Sequence, residues 1–106
     1  MDKYEKLTKD LMECGREAYE LCRNESDWGT CNFDSPTISP KGFKFAKLEE
    51  AIKNAGYPSY RWRFGGTTFV ICTGGGQGER RTMIAETVCR LMRERGYAMG
   101  MYYRMD

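Results

Sequence analysis

The chain has 106 residues, 41% of them apolar and 30% charged, which fits one domain with a modest core and excludes a second domain or wholesale disorder. No run approaches the roughly 18 uninterrupted apolar residues of a membrane span. The opening Met1-Asp2-Lys3-Tyr4-Glu5-Lys6 is charged where a secretory leader turns apolar, so a cytoplasmic protein is expected. Net charge is only +2, but residues 1–39 hold five basic against nine acidic residues and the remainder holds twelve against six. Such a split points to a partner with a phosphate backbone, or to one half of the protein docking on the other.

Five cysteines (Cys14, Cys22, Cys31, Cys72, Cys89) form an odd set without C-x-x-C, which reads as reduced thiols used as small apolar side chains. There is no histidine. Zinc would need four cysteines, and the spacing of Cys14, Cys22 and Cys31 matches no knuckle or ribbon, so no metal is expected. The commonest general base and the Ser-His and Cys-His pairs are also missing, and no catalytic residue is assigned.

In chain order, Tyr4, Leu7, Leu11, Cys14, Ala18 and Leu21 recur at helical spacing and predict a helix over 4–23. Its single stripe suits packing on the protein's own sheet better than a two-helix coiled coil, leaving a monomer or weak homodimer. Residues 24–39 read as a long loop rich in turn formers, with Trp28 and Phe33 as either its anchors or a presented contact patch. Ser39-Pro40 then resembles an N-cap and first helical residue, opening a helix over 40–55 that carries Lys41, Lys44 and Lys47 on exposed sides. Those lysines form a solvated face or an approach to phosphates.

Two alternating runs around Gly65-Gly66 predict a β-hairpin over 59–73. Setting Phe64 against Thr67 pairs Trp62 with Phe69 and Tyr60 with Ile71 on the core face. The same register puts Arg61 and Arg63 on the other face with Val70 and Thr68. Arginines alternating with aromatics suit nucleic acid, and they also simply solubilise a sheet face. A helix over 79–95 and a strand over 97–103 follow. Strand, helix and strand with short connections imply a crossover, with the last strand parallel to 67–73. The expected fold is a single α+β domain, 1–106, of order α-α-β-β-α-β, with a small mixed sheet and helices mainly on one face.

Between strand and helix lies Gly74-Gly75-Gly76-Gln77-Gly78, followed by Arg80 and Arg81 in the first helical turn. Glycines leading into a helix N-terminus aim several N–H groups at one spot, so these seven residues are a candidate anion site or a tight turn. They match neither a Walker A loop nor a dinucleotide fingerprint. Residues 69–104 do resemble the central motif of the GNAT acetyltransferases, in which strand, Gln/Arg-x-x-Gly-x-Gly/Ala loop, helix and strand cradle the pyrophosphate of acetyl-CoA. The Arg95-Gly96-Tyr97 entry into a strand is similar too. Gly75 stands where Gln or Arg is expected, and Arg80 where the second small residue is expected. The resemblance implies a small acyltransferase with CoA or a nucleotide at the glycine loop.

Two function classes therefore stand. One is a non-enzymatic, cofactor-free binding protein that engages nucleic acid directly, or a protein or ribonucleoprotein complex that handles it. Arg61, Arg63, Lys41, Lys44, Lys47, Trp28 and Phe33 would make the contacts. In size and style it resembles small phage or mobile-element proteins, including anti-CRISPR-like inhibitors of bacterial defence nucleases. The other is the GNAT-like enzyme. The first explains the charge split and the second the glycines.

Overall fold

The computed structural model describes residues 1–29, 31–63 and 66–105. Helix α1 spans Lys3–Leu21, β1 Ser35–Ile38, α2 Phe45–Asn54, β2 Ser59–Arg63, β3 Thr67–Ile71, α3 Gly78–Glu94 and β4 Met99–Tyr102. The α+β class and the succession of the six expected elements hold. A seventh, β1, sits inside the stretch expected to be only loop.

That extra strand changes the sheet. The order is β2-β3-β1-β4, and β1 pairs antiparallel with both β3 and β4. So β3 and β4 run in the same direction, as the crossover requires, but are not neighbours. Every pairing is antiparallel, which corrects the expected mixed sheet. From β1 onward the chain forms two interleaved split β-α-β units, the β-α-β-β-α-β ferredoxin-like arrangement, with α1 added in front.

Pro36 helped to conceal β1, since proline cannot donate to a ladder and argues against a central strand. It is tolerated because the register against β3 covers only Thr37 and Ile38, opposite Val70 and Phe69, whereas Pro36 faces Met101 of β4. The Phe33 N–H donating to the Arg104 carbonyl at 2.7 Å and a bridge between Asn32 and Met105 prolong the β1–β4 edge.

Helix α1 starts at a capping box. The Asp2 carboxylate accepts from the Tyr4 and Glu5 N–H groups, and the Glu5 side chain accepts from the Asp2 N–H. Leu7, Leu11, Cys14 and Ala18 are completely buried against α2 and α3. The stripe ends on buried Cys22 rather than on Leu21, which is exposed. Gly15 leaves room within α1 for the Tyr57 hydroxyl, which lies where a Cβ would go. Helix α2 begins at Phe45, five residues later than expected. Ser39-Pro40 forms a turn instead, with Gly42 at φ +86° and the Phe43 N–H donating to the Pro40 carbonyl. Beneath the helices, Ile38, Phe69, Ile71, Leu48, Ile52, Val88 and Met92 close the core.

Candidate nucleic-acid interface

The hairpin is registered one residue away from expectation. Arg63 lies opposite Thr67, Trp62 opposite Thr68, Arg61 opposite Phe69 and Tyr60 opposite Val70. The expected Phe64 partner and the Gly65 half of the turn lie outside the described residues. Because side chains alternate along a strand, a one-residue shift exchanges the two faces. Arg61 therefore points to the helix side. Its guanidinium sits 5.1 Å from the Phe45 ring centroid and 5.9 Å from that of Phe69, and it pairs with Glu49 at 3.7 Å. Arg63 shares that side at the sheet's end. Tyr60 and Trp62 turn to the face that no helix covers.

The sequence could not settle this, since Phe69-Val70-Ile71 is apolar throughout and gives β3 no alternation to read. The hidden β1 concealed the rest. Pairing places Tyr60, Val70, Thr37 and Gly100 in one row across the helix-free face, with Ser35 and Tyr102 in the next row along β1 and β4. Continuing the same alternation adds Phe33 and Arg104. Trp62 and Tyr102 come from the two edge strands, yet their rings meet edge to face with centroids 5.0 Å apart. They bridge over small residues in the middle, since Gly100 has no side chain and lies opposite Thr37. That cover explains why Val70 is fully buried without a helix above it.

At the β1–β4 end of this face, the guanidinium groups of Arg81 and Arg104 each lie 5.8 Å from the Phe33 ring centroid. The Arg81 Nε donates to the Asp34 carbonyl, and the Arg104 N–H to the Asp34 carboxylate. Neither side chain forms an ion pair among the described residues. Burial pushes the Tyr60 phenol above its ordinary pKa, with Tyr102 and Cys72 adding to the rise and Arg104 and Arg81 opposing it, so these groups share one neighbourhood. Tyr60 and Trp62 each keep more than a third of their surface exposed.

The glycine loop is arranged differently. Gly74, Gly75, Gly76 and Gly78 all adopt positive φ, as the tight-turn expectation requires. Three of the N–H groups at the entrance to α3, however, donate to the chain itself. The Gln77 N–H donates to the Asp27 carboxylate at 3.2 Å, the Glu79 N–H to the Trp28 carbonyl at 2.8 Å and the Arg80 N–H to the Ser26 carbonyl at 3.1 Å. Arg80 is drawn in as well, its Nε donating to the Glu25 carbonyl and lying 3.6 Å from Asp27. Of the seven loop residues, Arg81 alone reaches the aromatic face.

The other expected contacts scatter. Trp28 is 80% exposed, so its backbone anchors the loop and its ring does not. Lys44 stands at the N-cap position of α2 without a side-chain capping bond and the Lys47 ammonium lies over Tyr4, both on the helix side with Lys41 in the preceding turn. Between α1, the end of α2 and the glycine loop is an open cleft of about 310 Å³, lined by Met12, Arg16, Tyr57, Thr73 and Ile84 among others. The Thr73 hydroxyl is buried there without a hydrogen-bond partner among the described residues. All five cysteines are free thiols. Among the described residues no group of three His, Cys, Asp or Glu could hold a metal ion, and no helix is long and apolar enough to cross a membrane. No family model, no curated protein and no solved structure matches the chain.

Proposed function

We propose that this protein is a non-enzymatic binding module that engages nucleic acid through the helix-free face of its sheet. One observation carries the proposal: Tyr60, Trp62, Tyr102 and Phe33 share that face with Arg81 and Arg104, two cations without carboxylate partners among the described residues. Aromatic rings offer stacking surfaces to bases, and guanidinium groups on the same face offer contacts to phosphates. The excess of basic residues after position 39 favours approach of a polyanion over much of the surface. Arg61 belongs to the fold, because its ion pair and its packing on Phe45 and Phe69 occupy it on the helix side.

An NMR titration of the full chain with a mixed-sequence oligonucleotide at low salt tests the proposal. Amide shifts centred on Tyr60, Trp62, Val70, Gly100 and Tyr102 are expected. Shifts confined to residues 74–80 would move the site to the glycine loop and overturn this placement. No shift with any oligonucleotide would overturn nucleic acid as the partner and favour a protein surface instead.

A further inference from the structure

Resting on that assignment, we infer that the ligand is a single strand, its bases stacked on the Tyr60, Trp62 and Tyr102 rings and its backbone held by Arg81 and Arg104 at the Phe33 end. These aromatic side chains lie on the sheet surface, and the Trp62 and Tyr102 rings contact each other across it. Bases reach such rings only when splayed out of a helical stack, which a single strand permits and an intact duplex does not. Duplex recognition usually inserts a helix or ribbon into a groove. Here α1, α2 and α3 pack together over the opposite side, and the helix-free face carries only short side chains between its edge aromatics.

The chemistry is also divided along the face. Arg81 and Arg104 both flank Phe33 at one end, while Tyr60 and Trp62 belong to β2 at the opposite edge. A strand crossing from β4 to β2 meets charge first and then rings. This division separates two measurable quantities. Charge contacts set the salt dependence of binding, and stacking sets a largely salt-independent part of the affinity.

The test is fluorescence anisotropy of the full chain with labelled deoxythymidine and uridine decamers and a matched duplex, across a salt series. Single strands are expected to bind at least tenfold more tightly than duplex, the two decamers showing which sugar is preferred. The double variant Arg81→Gln/Arg104→Gln should lower the slope of log affinity against log salt by about 1.4, near 0.7 for each phosphate no longer neutralised. Trp62→Ala should weaken binding about tenfold and leave the slope unchanged. Since Trp62→Ala also uncovers Val70, a second measurement avoids that change. In Trp28→Phe the remaining tryptophan is Trp62, and stacking should quench its fluorescence as the decamer is added. Equal affinity for duplex with no quenching would overturn the single-strand inference and leave nucleic-acid binding standing. No binding of any oligonucleotide would overturn both.

Discussion

The glycine loop and the helix-free sheet face contain the same kinds of residue in opposite states. At the loop, backbone N–H groups, Arg80 and the N-terminus of α3 are matched by carbonyls of residues 25–28 and by Asp27. On the sheet face, Arg81 and Arg104 lie over Phe33 without an acidic partner among the described residues, and Tyr60 and Trp62 each keep more than a third of their surface exposed. A helix N-terminus is a site only when its donors are still available. In this molecule the entrance to α3 spends the Gln77, Glu79 and Arg80 N–H groups on residues 26–28, whereas Arg81 and Arg104 spend no charge on a carboxylate among the described residues.

The largest test of the contrast is Gly78→Ala. Gly78 has φ +56°, and a Cβ there would lie 2.2 Å from the Trp28 carbonyl oxygen and 2.7 Å from that of Asp27. Backbone cannot yield as a side-chain tip can. The substitution should cost roughly 3 kcal/mol or more, combining left-handed strain with disruption of the hydrogen bonds to residues 26–28. Circular dichroism melts should show a fall in Tm above about 10 °C. An unchanged Tm with abolished oligonucleotide binding would reverse the assignment and make the loop the ligand site.

Next in size is Asp10→Asn, which probes pairing on the helix side. Asp10 accepts from Lys6 Nζ at 2.8 Å, Arg95 at 2.8 Å and the Tyr97 hydroxyl at 2.7 Å, tying α1 to the end of α3. Burial pushes its carboxyl up, but the hydrogen bonds from Lys6, Tyr97 and Arg95 outweigh that and hold it at about 2, below the ordinary 3.8. A depressed carboxylate stabilises the fold above its unfolded pKa and loses that contribution as pH falls from about 4 towards 2. The wild-type protein should therefore lose about 2 kcal/mol across that window, and Asp10→Asn should lack the same amount at pH 7. Urea titrations at pH 2.5, 4 and 7 read both. A variant whose stability keeps the wild-type pH dependence would remove Asp10 from the account.

Much of this architecture is legible in the sequence, and the losses share one cause. Helices α1 and α3 show clean stripes, and Leu7, Leu11, Cys14, Val88 and Met92 are buried as that spacing requires. Strand β1 is invisible in the sequence because four residues containing Pro36 have no period long enough to read. The hairpin itself can be read but its faces cannot, since the apolar run Phe69-Val70-Ile71 fits either register. Those two ambiguities together hide the face. The register expected from the sequence puts Tyr60 and Trp62 in the core, and Tyr102 and Arg104 have no visible neighbour until β1 brings β4 into the sheet.

The smallest and most discriminating prediction compares Arg61→Ala with Arg104→Ala. Both remove one cation, so a general electrostatic attraction would make them equivalent in binding. Their surroundings differ. Arg61 is half-exposed, lies over Phe45 and Phe69 and pairs with Glu49, so its truncation should cost up to about 1 kcal/mol of stability, mostly through weakened packing. Its effect on oligonucleotide affinity should be under twofold. Arg104 is exposed on the helix-free face, so its removal should leave Tm within a degree or two and lower the salt slope by about 0.7. The same melting and anisotropy series measures both variants. If Arg61→Ala weakens binding as much as Arg104→Ala does, the partner reads the whole charged surface and the two faces of the sheet are not functionally distinct.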